Sequence, residues 1–156
     1  MLNDIVIDTN IFLHAGNPKR RAHSLTFLGR FRDTVTKLCV DEGFTLEEAK
    51  NRSHIGREYL SHLRAGTLGY EIIVHLGRLQ RIKIVPRAVP QAVAKAIKRQ
   101  VGKGPDRTYI RVAYNSEDKV LASHDFGDLT EGVRRRLSDK IGVRIVAAKD
   151  AMTELS

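Results

Sequence analysis

The chain has 156 residues, 42% of them hydrophobic and 29% charged, enough to bury a core of its own, and its single cysteine, Cys39, excludes an internal disulfide and the usual cysteine-rich zinc clusters. Lys and Arg outnumber Asp and Glu by 27 to 18, a net charge of +9 that points to an anionic partner, nucleic acid first. No stretch reaches transmembrane length, and the first residues show neither a basic leader nor an apolar signal core, so the expectation is one cytoplasmic domain over residues 1–156, with Cys39 in its core.

The first element is a strand from residue 4, whose apolar run Ile5-Val6-Ile7 stops at Asp8-Thr9-Asn10. An apolar run without polar alternation suits a strand covered on both faces, and ligands of parallel sheets collect at the carboxyl ends of such strands. Asp8 therefore has two readings, a carboxylate in the ligand crevice or the N-cap of the helical turn at 11–15. Asp4 points to the opposite end. Gly16-Asn17-Pro18 breaks the turn and restarts a helix, with Asn17 as cap, Leu25, Leu28 and Phe31 inward, and Lys19, Arg20, Arg21, Arg30 and Arg32 on a solvated face. Leu38-Cys39-Val40 is a second strand, closed by Asp41-Glu42-Gly43.

Thr45 and Glu48 have the spacing of a capping box, which predicts a helix from residue 45 to Leu63, with a break near Asn51-Arg52-Ser53. Ile55, Tyr59 and Leu63 share one face of it, and Glu58 sits on the edge of that face, where a carboxylate needs either a salt bridge to an arginine or a function. A helix over residues 66–81 follows, carrying Leu68, Ile72, Ile73, Leu76 and Leu79. The run Ile82-Lys83-Ile84-Val85 makes a strand ended by Pro86.

Residues 90–101 form an amphipathic helix, with Val93, Ile97 and Val101 inward and Lys95, Lys98 and Arg99 outward. Gly102 to Pro105 stop it. In the next helix Asp106 shares a face with Tyr109, Ile110 and Ala113, so it points inward unless it serves as the N-cap. Arg107 and Arg111 flank it. Lys119-Val120-Leu121-Ala122-Ser123-His124-Asp125 then repeats the pattern of the first strand, an apolar run delivering an aspartate, while Glu117 and Asp118 belong to the opposite edge. A basic helix at 130–141 with Arg134, Arg135 and Arg136, a strand at 143–147 and a helical turn at 150–155 complete the chain.

Strands alternating with helices give an α/β fold, a three-layer α/β/α sandwich around a mainly parallel sheet of about five strands. Its site candidates are Asp8 and Asp125 from strand ends with Glu58 and Asp106 from helix faces. Clustered carboxylates without cations must raise their pKa values or bind a hard divalent metal, Mg²⁺ or Mn²⁺. With a basic surface, that is equipment for metal-assisted phosphodiester hydrolysis.

On the strand-borne IVIDTN, the Glu58-Tyr59 pair, Asp106 seven residues before Ala113, and VLASHDF, the chain resembles the PIN-domain nucleases over nearly its whole length. The resemblance implies an endoribonuclease that hydrolyses RNA through a metal-activated water, with Asp8, Glu58, Asp106 and Asp125 as catalytic metal ligands and Thr9, Asn10 and Ser123 orienting them. Many members of that family are toxins restrained by an antitoxin, so an antitoxin protein joins RNA among the expected partners, with homodimerisation left open and no membrane involved. Lys103, Arg107 and Arg111 would hold the RNA backbone. Asp41 stands as an alternative to Glu58, because the stretch from Gly43 to Ile55 is longer than in compact toxin members. Asp128 is either a supplementary metal ligand or the cap of the following helix. His14 and His124 read as ordinary surface or packing residues, and the aromatic content of 6% argues against a large stacking platform.

Other readings compete. A haloacid-dehalogenase-type phosphatase needs a second aspartate where Asn10 stands, and a receiver domain needs its phosphoacceptor at the end of a middle strand, where Val85-Pro86 supplies none. A non-catalytic RNA- or protein-binding module on the same fold, or a nuclease of RNA processing or acting on DNA, remain as alternatives.

Overall fold

The computed structural model describes residues 1–155, apart from the side chain of Arg21; that residue's expected place on the basic face lies outside the described residues. Five strands, β1 (Asp4–Ile7), β2 (Lys37–Asp41), β3 (Ile82–Val85), β4 (Val120–Ala122) and β5 (Arg144–Val146), form one sheet in the order β3-β2-β1-β4-β5. Every pairing is parallel, as expected. Ile5, Val6, Ile7 and Val120 to Ala122 are buried, because β1 and β4 lie inside the sheet with helices over both faces.

The helices are α1 (Thr9–Ala15), α2 (Arg21–Arg32), α3 (His54–His62), α4 (Leu68–Arg78), α5 (Gln91–Gln100), α6 (Gly104–Asn115), α7 (Glu131–Ile141) and α8 (Ala148–Met152). α2 packs on α1, α4 and α8, while α5 packs on α6 and α7. α3 touches both groups, meeting α1 and α6. This is the three-layer α/β/α sandwich anticipated from the alternation of elements. Among the described residues, no helix is long and apolar enough to cross a membrane.

The order of strands positions the site. From β1 the chain moves to β2 and β3 on one side, then crosses to β4 and β5 on the other, so the carboxyl ends of β1 and β4 border the point where the winding reverses. The amino ends carry a separate polar cluster. Asp4 is fully buried there, pairs with Lys83 at 2.7 Å, and accepts from the amides of Glu117 and Asp118.

Several boundaries differ from expectation. α2 begins at Arg21 rather than beside Pro18, because the Asn17 side chain accepts from the Lys19 amide and closes a local turn instead of capping a helix. Its buried face is formed by Ser24, Phe27, Leu28 and Phe31, leaving Leu25 38% exposed. Leu68 and Leu79 also lie largely in solvent at the two ends of α4. The final helix starts at Ala148, not at 150.

The largest difference is α3. The capping box does not form: Thr45 Oγ1 accepts from Glu47, and no regular helix occupies residues 45–53. The segment instead folds back, with the Arg52 amide donating to Gly43 O at 2.9 Å and Asn51 bridging the Thr45 amide and Ser53 O. Gly43 has φ 84°, and a Cβ there would meet Arg52 Cβ at 2.6 Å, so both the turn and the approach require glycine. α3 is nucleated by Asp41, whose oxygens accept from Ser53 Oγ and the amides of His54 and Ile55 at 2.5–2.9 Å.

Candidate metal centre

Asp8 follows β1 directly, and the cap reading of it is the one the structure shows. Its extended backbone makes it the N-cap of α1, with Oδ1 accepting from the Asn10 amide at 3.4 Å. Its Oδ2 accepts from Asn10 Nδ2 at 3.1 Å and from Ser123 Oγ, just beyond β4, at 2.8 Å. Ser123 Oγ also accepts from the Asp125 amide at 3.1 Å, and Asn10 Oδ1 from the His124 amide at the same distance. Asn10 and Ser123 thus tie the end of β1 to the loop after β4. Thr9 does not: its hydroxyl is 2.5 Å from Tyr109 Oη, because the first turn of α1 points it at α6. It fastens α6 to the first turn of α1, and Tyr59 Oη, donating to Ile7 O at 2.5 Å, fastens α3 to β1.

Asp106 lies in the first turn of α6, inside the helix rather than at its cap, which is Lys103. It is only 7% exposed, and its Oδ2 is buried without a hydrogen-bond donor among the described residues. One oxygen from each of Asp106, Asp125 and Asp128 lies within 4.8 Å of the others. Burial, with the negative charges of Asp8 and Asp125 close by, pushes the Asp106 carboxyl up to about 7. Burial likewise raises Asp8, aided by Asp125 and Glu58 and opposed by the bonds from Ser123 and Asn10. The carboxylates therefore share one electrostatic site. An all-oxygen donor set with an unpaired buried oxygen fits a hard divalent cation, and Asp106, Asp125 and Asp128 could hold one.

Asp128 belongs to this group and does not cap α7, since Thr130 Oγ1 takes that role by accepting from Val133 N at 3.3 Å. Its amide donates to Asp125 Oδ1 at 3.0 Å, and its own carboxylate pairs with Lys103 Nζ at 2.5 Å. Lys103, expected on the nucleic acid, is here an internal counter-charge of the acidic group.

Glu58 sits outside the trio of aspartates, on the rim of a hollow of about 370 Å³ between α3 and α6 that Arg57, Arg107 and Arg111 also line. The side chain it approaches is His62, with Nε2 at 3.5 Å one turn along α3, rather than an arginine. Arg107 Nε donates to Val101 O at 2.7 Å, and Arg111 Nε is buried without an acceptor among the described residues. Asp41, the alternative to Glu58, is spent at the start of α3, where Arg87 adds a contact at 2.6 Å. It does not join the metal group.

One residue with a role here escaped the sequence. In the sequence Arg134 is one of three arginines of a basic helix, but its guanidinium reaches Leu129 O at 2.6 Å, Ser123 O at 3.2 Å and Asp125 O at 3.3 Å, bracing the loop that carries Asp125. Its position beside buried Val133 is the one hint the sequence offers. His124 is braced as well: its Nε2 accepts from the Ala148 amide at 3.2 Å, which leaves the proton on Nδ1, 3.1 Å from His14 Nδ1. Burial and the neighbouring His14 and Arg134 lower the His124 pKa to about 4, so the ring stays neutral. No family model matches the chain, and no curated protein matches it, so the fold and the acidic site alone speak for its chemistry.

Proposed function

We propose that the chain is a divalent-metal-dependent endoribonuclease of the PIN-domain type, using Mg²⁺ or Mn²⁺ held by Asp106, Asp125 and Asp128 with Asp8 closing the site. The observation that carries this reading is the buried, unpaired Asp106 Oδ2 of α6 grouped with Asp125 and Asp128 of the loop that follows β4. A bound divalent ion supplies Lewis acidity, polarising the scissile phosphate and lowering the pKa of an attacking water. The protein's own part is orientation and grip. Asn10 and Ser123 fix Asp8, Arg134 fixes the Asp125 loop, and Arg107 and Arg111 present cations to the phosphate backbone from the neighbouring hollow. Asp128, now paired with Lys103, would be one of the residues that hold the ion.

The test is cleavage of end-labelled single-stranded RNA with Mn²⁺, Mg²⁺ or EDTA, comparing wild type with Asp106→Asn and Asp125→Asn. Cutting that needs metal and falls about 100-fold or more in both variants is the expected result, since each removes a ligand of the reacting ion. RNA that is bound yet never cut, with variants indistinguishable from wild type, would overturn the reading in favour of a binding module.

A further inference from the structure

A second hollow, about 490 Å³, is lined by His14, Arg20, His23, His124, Phe126 and Lys149. Its volume is that of a small-ligand site. It is contiguous with the acids through the chain itself: His124 and Phe126 flank Asp125, and the His124 amide is bonded to Asn10. The Phe126 ring is 59% exposed, an unusual fate for phenylalanine, yet it is not loose. The His124 ring stacks beside it at 5.8 Å with 22° between planes, and the Arg134 guanidinium lies 4.8 Å from its centroid. Arg134 lines a neighbouring hollow that shares Phe126, Ala147 and Asp150 with this one, and is not among the residues that line this one. His124 is held in turn by His14, Ser24 and the Ala148 amide. Arg20 and Lys149 stand at the rim against one acid, Asp150.

A rigid, exposed aromatic face with cations around it is what an unstacked base with its phosphate needs. We infer that this hollow is a nucleobase subsite: one splayed base of a single-stranded RNA stacks on the exposed ring of Phe126, Arg20 and Lys149 meet the adjoining phosphate, and the neighbouring phosphodiester is thereby delivered to the aspartates. The inference deepens the nuclease reading and rests on it for the last step only. It makes the protein selective for unpaired strands, because a base held in a duplex cannot enter. It also reconciles the low aromatic content with single-strand recognition, since one platform serves one base.

The experiment is a titration, in EDTA, of a short fluorescent single-stranded RNA and of a set in which one nucleotide at a time is abasic. Wild type should bind the intact RNA about 10-fold more tightly than the RNA abasic at one particular position, and Phe126→Ala should lose the same factor on intact RNA and nothing further on that abasic one. Equal binding by wild type and Phe126→Ala, or a loss that is the same for every abasic position and for duplex RNA, overturns the subsite. Cleavage with Mn²⁺ separates the two readings. If acid-dependent cutting proceeds while Phe126→Ala and the abasic RNAs behave as wild type, the subsite fails and the nuclease stands; base-dependent binding without any cutting leaves the subsite and removes the nuclease.

Discussion

At the scale of single residues, Asp106 combines two opposed demands. Burial beside Asp8 and Asp125 raises its carboxyl to about 7, so the metal-free protein keeps a proton there that the unfolded chain releases near the usual carboxylate value of 3.8. Folding therefore takes up a proton between those values. The stability this residue contributes is full below pH 4 and is lost as pH rises through about 7. Asp106→Asn, which cannot ionise, should make the EDTA-treated protein more stable at pH 8 by about 1–3 kcal/mol in urea unfolding, with the difference shrinking toward pH 4. The same substitution should abolish the gain in stability that Mn²⁺ gives the wild type, because a ligand stabilises only the state that binds it. A variant less stable than wild type in EDTA at pH 8 would show that Asp106 is an ordinary structural carboxyl. Asp8, Asp106 and Asp125 were legible because a strand end and a helical face each fix where a side chain points. Asp128 was legible as one of two alternatives, and the partners of Thr9 and Arg134 were not, since they come from bonds between distant segments, such as Thr9 to Tyr109 and Arg134 to Ser123 O.

At the scale of elements, α3 shows why a local signal can be outbid. Thr45 and Glu48 carry the letters of a helix start, but the helix begins at His54 because Asp41, twelve residues before Ser53, already accepts from the first amides of α3 and from Ser53, itself the cap. A buried carboxylate reaching from the end of β2 gives the helix a start that no window of neighbouring residues contains. The regular stretches, by contrast, followed their periodicity, as with Ile55 and Tyr59 in α3 or Ile110 and Ala113 in α6. The Asp41 clamp has two measurable consequences. Asp41→Ala leaves Arg87 and two helix amides without their acceptor and should lower unfolding stability by about 3 kcal/mol, the scale of a broken buried charge pair. Burial pushes the Asp41 pKa up, but the bonds from Ser53, Arg87 and the His54 and Ile55 amides outweigh it and hold the carboxyl below its usual range. Its stabilisation is therefore present above about pH 4 and lost as pH falls through the lowered value, so wild type should show a steeper acid limb in urea unfolding than Asp41→Asn. Identical acid limbs would remove Asp41 from that role.

At the scale of the whole molecule, the sheet order sets a polarity. The alternation of strands and helices announces a parallel α/β sandwich, whereas the order β3-β2-β1-β4-β5 depends on which strands meet across the chain and is not written in any one segment. That order brings the carboxyl ends of β1 and β4 together, and the molecule has two hollows with cations in their lining, one with Arg107 and Arg111 and the other with Arg20 and Lys149. At the other end, Asp4 and Glu117 gather around Lys83, and Lys37 opens β2 in the same region. The excess positive charge of +9 should therefore act on RNA from the carboxyl end of the sheet, not evenly over the surface. If Arg20, Arg107, Arg111 and Lys149 each neutralise a phosphate, the log of the affinity for single-stranded RNA should fall against the log of salt concentration with a slope of about −3, near −0.7 per contact. Arg111→Ala should weaken binding and reduce the magnitude of that slope by about 0.7, whereas Lys37→Ala should leave it unchanged. Fluorescence anisotropy at a series of salt concentrations reads both. A slope that responds equally to Arg111→Ala and Lys37→Ala would mean that RNA is held by diffuse attraction to a basic protein, and the two hollows would then have no particular part in binding.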